Sequence, residues 1–311
     1  MLESAGRFAP SPSGDLHIGN VRTGVLAFLW ARQSGRAFRW RIEDLDRVRE
    51  GAAQQQLEEF RSLGITIDGP IVRQTDRVEH YAAACRRLEE RGLVYECYCS
   101  RKDIQSAPSA PHAPPGAYPG TCRDLTDSER TAERARLERA GRSPALRLRT
   151  ETSQRPVEDA LLGTITAHID DVVLRRGDGV WAYNLAVVVD DADMRVDQVV
   201  RGDDLASSAP RQALLCDLLD LPVPQYAHVP LVLNRQGARL AKRDGAVTLG
   251  QLTELGFDVW GWMGESLGFG PWRGVRDAID SFDPARLRRE ATVFDPPPLS
   301  RGAAEAPKTG R

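Results

Sequence analysis

Apolar and polar positions at the start of the chain follow two rhythms in turn. Residues 6–10 (GRFAP) read as a short strand, followed by a turn-rich stretch from Ser11 to Asp15. From Ile18 to Ser34 the spacing is helical, with Val21, Val25, Phe28 and Leu29 on one face and Gly35 as the stop. Residues 37–42 (AFRWRI) alternate, Phe38, Trp40 and Ile42 against Ala37, Arg39 and Arg41, which predicts a half-buried strand. Glu50 to Leu63 and Asp76 to Arg91 predict two more helices, closed by Gly64 and Gly92. Strand, helix, strand, helix is the order of an α/β domain with a parallel sheet.

The pattern then loosens. Residues 94–99 (VYECYC) read as a strand, and 106–121 holds five prolines and no apolar run, which predicts a loop. Asp127 to Ala140 predicts a charged helix ended by Gly141. From 145 to 202 the pattern is strand-like, with β-branched runs at Val187–Val189 and Val199–Val200 and turn signals at Arg176–Asp178 and Asp190–Asp193. A helix over Ser208–Leu219, a strand over Tyr226–Leu233 and helical segments near 248–267 and 283–290 follow. The expected organisation is a catalytic domain in two halves, 1–95 and 184–245, around a mixed α+β insertion at 96–183. A short helical segment, 246–300, and a polar, disordered tail, 301–311, complete it.

Composition narrows the class. Apolar residues are 41% of 311, enough for a core, and charged residues are 28%, which excludes wholesale disorder. No apolar run approaches the ~18–20 residues of a membrane span, and the opening MLESAGRFAP has no apolar leader core, so a cytoplasmic protein is expected. Five cysteines, an odd number, argue against a disulfide framework. A net charge of −2 argues against coating nucleic acid by bulk charge, although a local basic face stays open. Only three of the 42 basic residues are lysine, at 102, 242 and 308, so a lysine retained inside a motif carries information.

The first strand runs into Pro10-Ser-Pro-Ser-Gly-Asp-Leu-His17-Ile-Gly19-Asn20 and then a helix. A glycine-bearing loop opening a helix presents free N–H groups and a positive dipole end, which suits phosphate. Gly19 would let a flat ring approach the backbone, and His17 could donate to phosphate. The same residues also make a plain helix entry, with Gly19 relieving crowding.

Arg7-Phe-Ala-Pro-Ser11-Pro-Ser-Gly14 followed by His17-Ile-Gly19 resembles the first signature of class I aminoacyl-tRNA synthetases, in the glutamate-specific branch. Asn20 stands where that family often has a second histidine or a small residue. Arg239-Leu240-Ala241-Lys242-Arg243 resembles the second signature, in its expected place after strand 226–233. A lysine there is a compact, mobile charge suited to a departing pyrophosphate. The resemblance implies a Rossmann-like catalytic domain. It makes His17 and Lys242 catalytic and His17, Gly19, Asn20 and residues 239–243 ATP-binding, with Mg²⁺ accompanying the nucleotide.

Activating glutamate needs a cation for the side-chain carboxylate and an acceptor for the ammonium. Arg7 and Arg201 are candidates for the first, because the guanidinium fork matches a carboxylate; Glu43 is the candidate for the second. The resemblance adds Phe8, Ala9, Pro10, Ser11 and Tyr183, and the contexts RIE43DLD, WAY183NLAVV and VVR201GDD fit. Each could instead be an ordinary ion pair, such as Arg41 with Asp44.

Cys97-Tyr-Cys99 and Tyr118-Pro-Gly-Thr-Cys122 offer three thiolates to a tetrahedral metal, against the alternative of three buried free thiols. His112 is the more ordinary fourth ligand. Resemblance to one branch of the family, which carries Cys-x-Cys…Tyr-x-x-x-Cys here, implies zinc with Tyr118 as the fourth. About 68 residues follow Arg243, too few for the anticodon-binding region of full-length glutamyl-tRNA synthetases. Length, cysteine pattern and opening together resemble the glutamyl-Q tRNA(Asp) synthetases over roughly residues 6 to 295. That resemblance implies tRNA-independent activation of glutamate with ATP and its transfer to queuosine in the anticodon stem-loop of tRNA(Asp), by a monomer. A compact enzyme charging a tRNA 3′ end, a nucleotidyltransferase acting on a small molecule and a non-catalytic binding module are the alternatives.

Overall fold

The computed structural model describes residues 4–106, 117–240 and 248–295. The first half contains β1 (Ala5–Phe8), α1 (Ile18–Gln33), β2 (Ala37–Ile42), α2 (Ala52–Ser62), β3 (Val72–Arg73) and α3 (Val78–Glu90). Next come β4 (Val94–Cys97), α4 (Arg101–Ser106), α5 (Asp127–Arg139), β5 (Ala145–Leu148), β6 (Val157–Asp159), β7 (Gly163–Ile165) and β8 (Val173–Arg175). Then follow α6 (Tyr183–Asp193), β9 (Val196–Gly202), α7 (Ala209–Leu219), β10 (Gln225–Val229) and β11 (Val232–Leu233). The chain closes with α8 (Leu249–Glu254), α9 (Val259–Leu267), α10 (Val275–Ser281) and β12 (Thr292–Val293).

Seven strands form the main sheet in the order β3-β2-β1-β9-β10-β6-β7. All neighbours are parallel except the β6–β7 pair. The carboxyl ends of β1, β2, β9 and β10 therefore share one edge, where open α/β sheets bind ligands. β4, β5 and β8 make a separate antiparallel sheet. The sheets do not follow a clean 96–183 insertion: the β6–β7 hairpin lies inside that range yet extends the main sheet, and β4, in the small sheet, straddles its start.

Several expectations need correction. Strand β2 is buried on both faces, not half-buried, because it is an interior strand of the sheet; Arg41 is among its fully buried residues. Residues 183–193, expected as strand and turn, form α6. Leu185 to Val189 are all buried, so no polar stripe marks the 3.6-residue period. The expected strand 226–233 divides at Pro230, which has no N–H for a ladder. The expected helix 248–267 divides at Gly256, φ 66°, and Asp258 caps the second piece by accepting from the Gly261 N–H at 2.9 Å. Residues 283–290 hold only a 3-10 turn, Pro284–Arg286. His112, Ala241, Lys242, Arg243 and the 301–311 tail lie outside the described residues.

One core cluster joins the front of the chain to its end: Val21, Val25 and Phe28 of α1 belong with Met263, Leu267, Trp272, Phe282 and Phe294. Arg22, buried in α1, ties the same parts together. It donates to the Pro230 carbonyl at 2.6 Å and to the Thr292 hydroxyl at 3.0 Å, and burial lowers its pKa to about 10. No helix among the described residues is long and apolar enough to cross a membrane.

Candidate active site

The expected residues from four separate segments meet at the carboxyl edge of the sheet. Arg7 lies on β1, Glu43 just past β2, Arg201 on β9, and Tyr183 opens α6. Glu43, Arg201 and Arg7 all lie close enough to act on the Tyr183 hydroxyl. Tyr183 keeps 37% of its surface open, yet the protein around it raises its pKa, through desolvation first and then the Glu43 charge.

Arg7 is buried and donates from Nη1 to the Val200 carbonyl at 3.2 Å. Its Nε has no hydrogen-bond partner among the described residues, and Asp191 stands 3.6 Å away. Phe8 sends its ring into the core, 5.3 Å from the rings of both Trp40 and Phe60, so it offers the site its backbone only. The Pro10 carbonyl accepts from the Glu43 N–H at 3.1 Å, fastening the loop after β1 to the end of β2. Ala9 is half-buried; Ser11 is exposed and its carbonyl is held by Gln56 at 3.2 Å.

Sequence reasoning passed over the centre of this network. Arg41, fully buried, donates to Asp191 at 2.6 Å and Glu43 at 3.1 Å and lies 3.5 Å from Asp190. It does not make the surface pair with Asp44 that was the ordinary alternative; Asp44 accepts from Arg73 and Thr75. Burial opposes the Arg41 charge, but the three carboxylates outweigh it and raise the pKa. Burial also raises the Glu43 pKa against the pull of Arg41 and Arg7. Asp190 is a second hub, accepting from Arg77 at 2.5 Å, Gln74 at 2.8 Å and the Tyr81 hydroxyl at 2.9 Å. The signal available in sequence was the Asp190-Asp191 pair directly after an apolar run.

Arg201 is set by a chain of buried groups. Its Nε donates to His228 Nε2 at 3.0 Å, and Nη1 donates to Gln212 Oε1 at 2.8 Å. Gln212 in turn donates to Asn184 at 3.0 Å. Nη2 reaches the Leu205 carbonyl at 3.3 Å. His228 Nδ1 lies 2.6 Å from Asp159. Accepting from Arg201 makes His228 the Nδ1–H tautomer, neutral, and burial holds its pKa below the usual range against Asp159's opposing pull. Burial would raise the Asp159 pKa, but His228 and the N–H groups of Leu161 and Leu162 lower it. Three of the five Arg201 donors are engaged, which leaves one on each terminal nitrogen for a ligand.

His17 caps α1: its Nδ1 accepts from the Asn20 N–H at 3.3 Å. A Cβ on Gly19 would meet the His17 ring at 3.1 Å and Val232 at 3.3 Å, so the glycine lets the helix start close against both. The second signature is described only at its flanks. Leu240 is buried in the core, and Arg239 pairs with Asp204. On the far side Thr248 forms an antiparallel bridge to His17, and Leu249 donates to the Leu16 carbonyl at 3.2 Å. Thr248 and Leu249, downstream of the second signature, are thus held at the N-terminus of α1.

At the second candidate site the sulfurs of Cys97, Cys99 and Cys122 all lie within 4.8 Å of one another, and Cys99 and Cys122 are 3.5 Å apart. Thiolates on one tetrahedral zinc stand ~3.8 Å apart for ~2.3 Å bonds. The cluster can therefore hold a metal ion with little adjustment. The Tyr118 hydroxyl accepts from the Cys122 N–H at 2.8 Å, beside the sulfurs. The Arg147 guanidinium lies 3.8 Å from its ring centroid. Cys85 and Cys216 are buried elsewhere, as expected of core residues.

Residues 5–260 match the family of class I tRNA synthetases (E and Q), catalytic domain, and the chain belongs to that family: it is a class I aminoacyl-tRNA synthetase-type ligase. Within it, the chain is 60% identical over 296 residues to the glutamyl-Q tRNA(Asp) synthetase of Nocardia farcinica, covering 94% of each. It is 45% identical over 308 residues to that of Cutibacterium acnes, covering 96% of this chain and 84% of the other. In three dimensions it resembles a glutamate tRNA ligase from Elizabethkingia meningosepticum, TM-score 0.77 at 23% identity, over 94% of this chain and 67% of that one. That likeness is one of fold.

Proposed function

We propose that the protein activates L-glutamate with ATP, without tRNA, and transfers it to the queuosine base in the anticodon stem-loop of tRNA(Asp). The observation that carries this reading is the convergence of Arg7, Glu43, Tyr183 and Arg201 at one sheet edge beside the helix entry at His17. The extensive identity to glutamyl-Q tRNA(Asp) synthetases supports the acceptor.

Glutamate sits with its side-chain carboxylate on the uncommitted donors of Arg7 and Arg201, and its ammonium on Glu43 and the Tyr183 hydroxyl. The residues from Arg7 to Ser11 form one wall through their backbone. ATP would lie over Gly19 and Asn20, with His17, Lys242 and the other residues of 239–243 as its contacts, and Mg²⁺ bound with it would neutralise phosphate charge. The α-carboxylate attacks the α-phosphorus, the bond to the bridging oxygen breaks, and pyrophosphate leaves with the electron pair. Positioning and charge stabilisation do the work. Glutamate-dependent ATP–pyrophosphate exchange in the absence of RNA tests this half. Its absence would overturn the reading.

His228 makes the glutamate site sensitive to pH. A neutral His228 accepts from Arg201, whereas a protonated one turns an N–H against it. Its folded-state pKa is below the ordinary ~6.5, so the unfolded chain binds more protons between the two values. The stability it contributes is complete above ~6.5 and is lost as pH falls towards the folded value. We expect the KM for glutamate to rise as acidification passes the lowered folded value. His228→Leu should raise that KM roughly tenfold at neutral pH, the ~1–2 kcal/mol of a broken buried hydrogen bond, and abolish the acidic limb. Exchange measured against glutamate and pH decides it; an unchanged profile refutes the role.

We assign the cysteine cluster to one structural zinc, held by Cys97, Cys99, Cys122 and Tyr118, with the hydroxyl position of Tyr118 favouring it over His112. Protein purified without chelator should carry about one zinc per chain, on the four-ligand logic of closed sites. Elemental analysis finding none would remove the assignment.

A further inference from the structure

We propose that the cavity between the first turn of α3 and the β8–α6 connection receives the acceptor nucleobase, an inference that rests on the reading of queuosine as acceptor. Its volume is about 450 Å³, within the range of small-ligand sites, and its walls include Leu45, Thr75, Val78, Glu79, Arg175 and Trp181.

Its position is the first argument. Leu45 follows Glu43 by two residues, and Trp181 precedes Tyr183 by two. Two peptide units span at most ~7 Å, so the cavity wall adjoins the glutamate site on both sides. Thr75 accepts no slack here: it donates to Asp44 from its backbone at 3.0 Å and its hydroxyl at 2.9 Å, fixing the cavity to the end of β2. Leu45 and Thr75 follow β2 and β3, on one side of β1. On the other side of β1 stand β9, which carries Arg201, and β10. The cavity thus lies on the β2–β3 flank of the glutamate residues.

The lining is the second argument. The Arg175 guanidinium lies 5.3 Å from the Trp181 ring centroid and is aimed by a 3.0 Å bond from its Nε to the Gly179 carbonyl. A guanidinium held over an indole makes a two-layer platform, and an unstacked base can lie on its outer face. Across the cavity Val78 is 40% exposed, an apolar contact with no cover. Glu79 is exposed and makes no hydrogen bond or ion pair among the described residues. A carboxylate left open there matches the amine, cationic at neutral pH, that joins the cyclopentenediol of queuosine to its 7-deazaguanine; guanosine has no such group.

The test compares two reactions on each variant: exchange, which needs only glutamate and ATP, and glutamyl transfer to an anticodon stem-loop containing queuosine. Trp181→Ala should lower transfer kcat/KM about tenfold or more, the scale of one lost base stack, and Trp181→Phe should restore most of it. Exposed Glu79→Gln, which does not threaten the fold, should lower transfer several-fold. It should also erase the tighter binding of a queuosine stem-loop over its guanosine counterpart. Exchange should stay within about twofold throughout. Transfer unchanged in both Trp181→Ala and Glu79→Gln, or exchange falling in step with transfer, overturns the pocket while the function stands. A wild-type protein that leaves queuosine unlabelled overturns the function and the pocket with it.

Discussion

Lys242→Ala is expected to slow glutamate-dependent pyrophosphate exchange by about 10²–10³-fold, the range found when one preorganised charge is removed from a developing anion. The binding of glutamate should change little, because Arg7, Glu43 and Arg201 are held by contacts that do not involve the signature loop. Leu240, two residues before Lys242, is buried, and Thr248, six residues after it, bridges to His17 at the N-terminus of α1. Lys242 is one of only three lysines in the chain. Lys242→Arg tests whether a compact charge matters: a guanidinium keeps the charge but not the shape, and partial recovery is expected. Exchange rates within a few-fold of wild type in Lys242→Ala would remove the second signature from the chemistry.

Arg41→Met is expected to destabilise the protein by about 3–5 kcal/mol, because it strands Glu43, Asp190 and Asp191 without their shared buried cation. On the usual size scaling, this lowers the melting temperature by on the order of 10 °C. The loss should extend to function. Without Arg41 the pKa of Glu43, already raised by burial, moves further up, and a protonated Glu43 holds an ammonium poorly. Glutamate KM should therefore rise in variant protein that is still folded, and more so at lower pH. Thermal melting and exchange kinetics at two pH values measure both effects. A variant as stable as wild type would mean that the carboxylates find other partners.

The two signatures could be read from sequence because each is a short run whose residues act together. Arg7, Glu43, Tyr183 and Arg201 could be placed because each stands in a distinctive local context. Helix α1 and strand β2 were legible from spacing and from the glycine between them. What was not legible is the shell that holds the site. Arg41 looked like the polar face of a strand, and only the sheet order, with β1 and β3 on either side of β2, shows that it is buried. Asp190 and Asp191 looked like a turn, because a helix buried all round has lost its polar stripe. His228 and Asp159 are 69 residues apart and meet only through the pairing of β10 with β6. Such contacts depend on topology, which local patterns do not encode.

The most direct test supplies labelled glutamate, ATP and Mg²⁺ with total tRNA from a queuosine-containing strain, digests the RNA, and asks which nucleoside carries the label. The account predicts label on queuosine, none on the terminal adenosine, and none at all with tRNA from a strain lacking queuosine. Label on the terminal adenosine would contradict it and make the protein a compact charging enzyme.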